Sequence, residues 1–452
     1  MDITRSALLT DLYQLAMTQA YIEHGKTGTA VFEFFVRKLP PSRGFLIAAG
    51  LQQALEFLED FKFSSEDIEW LAKTERFSSN LLNYLSDMRF TGNVHAMPEG
   101  TIFFPDEPIL RVTAPLPEAQ MAESRLINIL HFQTLIASKA ARHILLASGK
   151  LLVDFGLRRA HGAEAGVMAA RASYIAGFAG TATVLAGELF DIPLYGTMAH
   201  SFIEAFEDEA AAFLAFAESR PKNLTFLIDT YDTEAAARKI VALANGLEAK
   251  GISVGSVRLD SGDIVQLSKS VRRILDEGGL ADVKIFGSGG IDEAELRHFH
   301  ESGAPIDGFG IGTSLTTSID LPALDCAYKL QEYVGLPRRK HSFGKATWPG
   351  RKQVWRSYGP DGRMAGDVIT LEGDPQPGEP LLRPVMQAGR RIHPSPTLAK
   401  IRERAARELE RLPQPLRSLD PKAAYSVTIS DPLRLLTEET DRRLARLGAK
   451  GS

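Results

Sequence analysis

At 452 residues the chain is too long for one compact core, so two domains are the expectation. Its 44% hydrophobic and 24% charged residues describe a globular protein, and a net charge of −4 gives no overall pull towards nucleic acid or an anionic membrane. The lone cysteine, Cys326, excludes an intramolecular disulfide and any cysteine-based metal cluster. No apolar run reaches the roughly eighteen residues that a membrane span needs. The opening MDITRSALLTDLYQLAM, interrupted by Asp2 and Asp11, lacks a signal-peptide core, and a cytoplasmic location is expected.

The first predicted element is a helix, with Thr10 and Asp11 as candidate N-caps and Gly25 as its stop. AVFEFFVRKLP (30–40) has the aromatic and β-branched content of a strand, and FSSEDIEWLAKT starts another helix. Residues 93–113 read as short strands joined by Pro-Glu-Gly and Pro-Asp turns. A long helical pattern runs from about Pro117 to Ser148.

The middle third changes character. Six short apolar runs each end in polar or glycine-rich residues: LLVDFGLRR (151–159), PLYGTMAHS (193–201), TFLIDTYD (225–232), SVRLDSGD (256–263), KIFGSGG (284–290) and GFGIGTS (308–314). Helical patterns such as AAARKIVALANGLEAKG and IVQLSKSVRRILDEGG lie between them, which is the rhythm of βα units in a parallel barrel. In such a barrel Asp154, His200, Asp229, Arg258, Asp260, Gly289 and Thr313 would gather at the carboxyl ends of the strands. Beyond about residue 335 the pattern loosens into turns and prolines. Two charged helical stretches, TLAKIRERAARELERL and SDPLRLLTEETDRRLARLG, then read as solvated faces.

Several of these residues have chemistry to offer, and each has a plainer reading. GSGG (287–290) and GIGTS (310–314) follow strands, and glycine lets backbone amides approach a phosphate; turns use glycine too. In VRLDSGD the arginine could grip a carboxylate or phosphate, and the aspartates could accept ribose hydroxyls or hold Mg²⁺; DSGD is equally a good helix start. Asp229 in LIDTYD has the same two readings. His200 in GTMAHSF stands just past a predicted strand and could accept a phosphoryl group or act as a base, but spacing alone leaves packing equally open. The basic run RRKHSFGKATWPGRKQVWR (338–356) suits a phosphate-rich small molecule better than nucleic acid, given the acidic chain as a whole.

Taken in order, LLTDLYQLAM, FEFFVRKLP, LINILHFQTLIASKAAR, DFGLRRAHG, GTMAHSF, VRLDSGD, FGSGG, GIGTS and GKATWPGRKQVWR resemble the nicotinate phosphoribosyltransferase family over most of the chain. The resemblance implies an α/β fold: an irregular, TIM-like βα barrel and an α+β domain built from N- and C-terminal segments. The boundaries expected are an N-terminal α+β domain at 1–120, the barrel at 121–335, and a C-terminal segment at 336–452 that partly completes the first domain. It further implies ATP-coupled transfer of a phosphoribosyl group from phosphoribosyl pyrophosphate (PRPP) to nicotinate, with Mg²⁺ accompanying the phosphates and ATP as co-substrate. By resemblance His200 is the phosphohistidine and Asp260 is catalytic. Tyr13 and Phe155 would stack on nicotinate, with Thr197 and Arg258 near its carboxylate. Arg37, Asp229, Gly289, Gly290, Gly312 and Thr313 would serve PRPP and its phosphates, and Lys329 and Lys345 are candidates for the nucleotide phosphates. Tyr13 would come from a neighbouring subunit, so a homodimer with shared active sites is implied, with no nucleic-acid or membrane partner. Spacing alone would read Tyr13 as a core residue of an amphipathic helix. Ala182 stands where nicotinamide-using relatives carry an aspartate, which fits an acid substrate. A different sugar-phosphate barrel enzyme, the related quinolinate enzyme and a non-catalytic phosphate binder are the competing readings.

Overall fold

The computed structural model describes residues 4, 6–40, 42–147, 149–340, 346–419 and 424–449. The chain divides into two compact units, one made of residues 1–138 and 323–452, the other of residues 139–322. The first division falls inside the long helix Glu123–Leu146, where the sequence pattern put the change near residue 120. No described helix is long and apolar enough to cross a membrane.

The unit built from both chain ends is organised by a seven-stranded sheet. One of its inner strands is Thr29–Val36, seven of whose eight residues are buried. It pairs antiparallel with Pro108–Pro115 on one side and Cys326–Tyr333 on the other, so the N- and C-terminal segments are joined by backbone hydrogen bonds. A four-stranded sheet holds Lys352–Tyr358 and Met364–Leu371. The opening helix, Leu12–Glu23, begins at Asp11, which forms a capping box with Gln14, and gives way to Gly25 at φ +63°, as the sequence suggests.

The second unit contains a six-stranded sheet, all of its pairings parallel. In spatial order its strands are Gly180–Thr181, Leu151–Asp154, Gly308–Ile311, Lys284–Ser288, Val254–Leu259 and Leu224–Leu227. Five of the six expected strands are present. The sixth, at 193–201, is reduced to one bridge between Leu194 and Thr181. The strand that does lie there, Gly180–Thr181, has no sequence signature, because its glycine answers to a close approach: a Cβ at Gly180 would collide with the Pro193 carbonyl oxygen and the Tyr195 ring. Among the described residues no ladder joins the Leu224–Leu227 edge to the Gly180–Thr181 edge. What the structure shows is a parallel half-barrel sheet within a mixed α/β fold.

Aspartates set the helices that follow the strands. Asp232 caps Thr233–Glu248, Asp263 caps Ile264–Glu277 and Asp292 caps Glu293–Glu301, each accepting a hydrogen bond from a first-turn amide. Each such cap contributes about 1 kcal/mol. The helix Ile264–Glu277 buries Val265, Ser268, Val271 and Leu275 along one stripe and leaves its charged residues outside. The long helix expected from Pro117 is interrupted at Ala122, giving Leu116–Met121 and Glu123–Leu146.

Candidate active site

The carboxyl ends of the parallel strands carry a connected polar cluster centred on Arg258. Strand Val254–Leu259 places Arg258 one residue before its end, and the chain continues into Asp260. Arg258 Nη2 donates to Asp260 Oδ1 at 2.6 Å, Nη1 to Thr197 Oγ1 at 2.9 Å, and Nε to Ser288 Oγ at 2.7 Å. Its guanidinium carbon stands 5.3 Å from the centroid of the Phe155 ring. Thus Thr197, Arg258, Asp260 and Phe155, from three different stretches of sequence, share one site. The guanidinium has five N–H donors, and three are engaged here, so two remain for an anionic ligand.

Burial alone would raise the Asp260 carboxyl. The hydrogen bond from Ser288, at 2.5 Å, and the charge of Arg258 overcome that and hold it below the usual carboxylate range. The backbone N–H of Asp260 and the hydroxyl of Ser261 donate to Asp229 Oδ2 at 3.0 and 2.5 Å. The other Asp229 oxygen, Oδ1, is buried with no hydrogen-bond partner among the described residues. The ambiguity of DSGD is resolved by these contacts: Asp263 is the helix cap, while Asp260 and Asp229 are not.

His200 is the first residue of a short helix, His200–Glu204, and its Nδ1 lies 3.1 Å from Thr230 Oγ1. It is only partly buried and no partner engages Nε2 among the described residues, which fits poorly with a core histidine.

The glycines have two different causes. Gly289, at φ +88°, lies so close to the Asp260 carbonyl oxygen that any side chain would clash; Gly290, at φ +67°, has open space around its Cβ position. By contrast Gly310 makes room for the Phe155 ring, and Gly312 sits against the Phe155 carbonyl. Part of GIGTS is therefore explained by packing of Phe155. Thr313 begins the short helix Thr313–Thr316. The helix Glu293–Glu301, which follows the GSGG loop, carries an ion cluster at its first residue. Lys139 Nζ, fully buried, pairs with Glu293 Oε2 at 2.6 Å and Asp320 Oδ1 at 2.7 Å, and Arg142 Nε pairs with Glu293 Oε1 at 3.0 Å.

Four residues of this neighbourhood have no role assigned from the sequence, although Asp154 is already expected at the strand ends. Ser288 stands between the glycines of FGSGG and binds both Arg258 and Asp260; its only signal was its place at a strand end. Thr230 adjoins Asp229 in LIDTYD and orients His200. Asp154 accepts from Thr181 Oγ1 at 2.7 Å and from Gly156 N at 2.8 Å, and burial pushes its carboxyl up to about 6 against those bonds. Thr181 is the fourth, on the strand without a signature. Ala182 follows it directly, exposed, with its N–H donating to the Asp154 carbonyl.

Tyr13, Arg37 and Lys329 belong to the other unit. Tyr13 is 47% exposed, which overturns the core reading of that residue. Partial burial and the neighbouring Glu123 and Asp11 push its phenol up to about 12. Arg37 pairs with Asp325 at 2.7 Å and Lys329 lies 3.5 Å from Glu123 Oε1, so each already has a carboxylate partner. Lys345 lies outside the described residues. Among the described residues no three acidic, histidine or cysteine side chains form a metal cage.

Comparison with known proteins completes the picture. Residues 8–131 match the nicotinate phosphoribosyltransferase N-terminal domain, 151–336 the nicotinate phosphoribosyltransferase family, and 375–437 the nicotinate phosphoribosyltransferase C-terminal domain. Nicotinate phosphoribosyltransferase pncB2 of Mycobacterium tuberculosis is 48% identical over 94% of this chain and 92% of its own length. The crystal structure of human nicotinic acid phosphoribosyltransferase superposes with a TM-score of 0.86 at 30% identity, covering 95% of this chain and 99% of that one. Nicotinate-nucleotide pyrophosphorylase from Pyrococcus furiosus superposes at 0.74 with 27% identity, over 91% and 96% of the two chains. The chain belongs to the nicotinate phosphoribosyltransferase family.

Proposed function

We propose that this protein transfers the phosphoribosyl group of PRPP to nicotinate, forming nicotinate mononucleotide and pyrophosphate in the salvage of pyridine nucleotides, with ATP hydrolysis coupled through His200. The observation that carries the reading is the Arg258 hub: a guanidinium with two free N–H groups, set against an aromatic ring and bonded to Thr197 and Asp260. Nicotinate is a flat ring bearing a carboxylate, and it needs both an aromatic face and a cationic fork.

In this reaction the pyridine nitrogen attacks C1 of the ribose, and the bond from C1 to the pyrophosphate oxygen breaks with its electron pair leaving on pyrophosphate. The sugar carries positive character in the transition state. Asp260, held ionised by Ser288 and Arg258, is suited to bind the ribose and to favour that charge. The Gly289–Gly290 turn offers backbone amides to phosphate without side chains in the way. Holding base and sugar in line supplies much of the acceleration.

Mg²⁺ fits here as an ion carried in by phosphates, because Asp229 Oδ1 is a buried oxygen without a hydrogen-bond donor among the described residues. When bound, it would neutralise phosphate charge, with Asp229 and Asp260 as its protein oxygens. Where Nδ1–H of His200 donates to Thr230, Nε2 keeps its lone pair. That nitrogen would attack the γ-phosphorus of ATP, displacing ADP, and water would later release phosphate from the histidine.

A homodimer with shared sites belongs to the same proposal. Val184, Leu185, Leu189 and Leu194 are each at least half exposed in the isolated chain, an apolar set suited to a second copy. Tyr13, also exposed, would reach the partner's nicotinate. The exposed Ala182 puts no carboxylate at its own position to repel the acid substrate.

The direct test is to follow mononucleotide formation in wild type and Arg258→Gln. The expected result is product from nicotinate and PRPP in the wild type and a KM for nicotinate raised at least tenfold in the variant. An unchanged nicotinate KM would remove Arg258 from the carboxylate site.

A further inference from the structure

The charged helix Leu398–Arg411, whose face reads as solvated in the sequence, lines a cleft in the unit built from both chain ends. The cleft has a volume of about 320 Å³. Arg404, Arg407 and Arg411 stand at helical spacings of three and four, hence on one face. Arg383, from strand Arg383–Gln387, joins them across the opening, and the turn Pro98–Thr101 forms another wall. The helix is pressed against that turn: a Cβ at Gly100 would stand 2.7 Å from the Ile401 carbonyl oxygen.

The two carboxylates in the cleft are already committed. Glu408 Oε2 accepts from Arg356 Nη1 at 2.9 Å and from the backbone N–H of Ile102 at 3.2 Å. Glu379 accepts from Arg383 at 2.7 Å and, through its other oxygen, from the Tyr358 hydroxyl at 3.0 Å. Arg404 Nη1 donates only to the Glu99 carbonyl at 2.7 Å, and the Arg411 guanidinium carbon stands 5.0 Å from the Tyr358 ring centroid. Among the described residues no ion pair within 4.0 Å engages Arg404, Arg407 or Arg411, while Glu408 acts on Arg404 and Arg411 at longer range. Burial, and then the nearby charges of Arg383 and Arg407, hold Arg404 below the usual arginine range. An arginine does not relieve such a position by losing its proton, so the cleft attracts an anion.

We propose that this cleft binds a small polyphosphate, a soluble anion of two or more linked phosphates, through Arg404, Arg407, Arg411 and Arg383. Several guanidiniums in a concave site can each donate two parallel N–H bonds to phosphate oxygens, which a single carboxylate or chloride would not satisfy. The volume suits one small molecule. Inorganic pyrophosphate and the triphosphate of a nucleotide carry the same chemistry, and the site is separate from the Arg258 cluster in residues and in compact unit.

The test is calorimetric titration of the full chain with inorganic pyrophosphate and, separately, with ATP. Four proteins are compared: wild type, Arg407→Gln/Arg411→Gln, Arg407→Lys/Arg411→Lys and Arg258→Ala. At least one of the two ligands is expected to show a binding component that Arg407→Gln/Arg411→Gln weakens tenfold or more and that Arg258→Ala leaves intact. Restoring charge with Arg407→Lys/Arg411→Lys should recover most of it. Pyrophosphate alone meeting this pattern assigns a bare polyphosphate, and ATP alone a nucleotide. Isotherms for both ligands unchanged from wild type in the Gln variant would overturn the proposal. Both substituted residues are exposed helix positions, and an unchanged denaturation midpoint checks that the variant is folded. Failure of the catalytic reading would show separately, as an unchanged nicotinate KM in Arg258→Gln.

Discussion

The molecule contains two arginine–aspartate pairs of the same length and opposite character. Arg356 and Asp367 meet at 2.6 Å with both side chains fully buried. Arg356 grips both oxygens of Asp367, its third nitrogen takes Glu408, and Tyr425 donates to Asp367 as well. Arg258 and Asp260 also meet at 2.6 Å, but their side chains are 12% and 25% exposed. Each nitrogen of Arg258 goes to a different partner, and hydrogen-bonding capacity is left over. The first pair is closed and links the neighbouring strands Lys352–Tyr358 and Met364–Leu371. The second is open to a ligand. An ion pair therefore points to function through what it leaves unsatisfied, not through its distance.

Substitution should separate the two. Arg356→Met leaves Asp367 and Glu408 buried without their cation, and a loss of about 3–5 kcal/mol is expected in chemical denaturation. Denaturation within 1 kcal/mol of wild type would dissolve the distinction from one side. Asp260→Asn should do the reverse, lowering kcat/KM by roughly 10²–10³-fold while shifting stability by less than about 1 kcal/mol. A variant as active as wild type would dissolve it from the other.

Asp154 sharpens the comparison, being buried like the first pair yet placed at the strand ends like the second. Its folded form keeps the proton up to about pH 6, whereas the ordinary aspartate value is 3.8. The stability it contributes is fully present below the lower value and is lost as pH rises through about 6, a change of about 3 kcal/mol. Asp154→Asn should remove that slope from a stability profile between pH 4 and pH 7.5. An identical slope in the variant would mean that another group titrates. The smallest effect concerns selectivity. Ala182→Asp places a carboxylate at the strand end, and nicotinate use is expected to fall on the order of tenfold relative to nicotinamide. Equal discrimination by both proteins would take Ala182 out of the pocket.

How much of this was legible follows from the same contrast. Arg258 and Asp260 are neighbours in VRLDSGD at a strand end, so the motif carried both the fold and the site. His200 could be found by its surroundings, but the contact that orients it comes from Thr230, thirty residues away. Ser288 and Thr181 were invisible because small polar residues at strand ends are common and only the three-dimensional partner gives them a role. The parallel βα rhythm was readable from alternating apolar runs and helical patterns, though not how far the sheet closes. Its shortest strand was not, since two residues beginning with a glycine carry no periodicity. Arg356 of the closed pair ends the basic run 338–356, which reads as suited to a phosphate-rich small molecule, and its partner Asp367 lies beyond that run; the arginines of Leu398–Arg411 read as solvent-facing, because sequence spacing shows a shared face but not what lies opposite it.

The measurement that bears most directly on the central claim is mononucleotide formation from PRPP and Mg²⁺, offering nicotinate or nicotinamide, each with and without ATP, in wild type and His200→Ala. The expected result is product from nicotinate, stimulated by ATP in the wild type, with that stimulation absent in His200→Ala. Product from nicotinamide alone, or ATP stimulation that survives the loss of His200, would contradict the account.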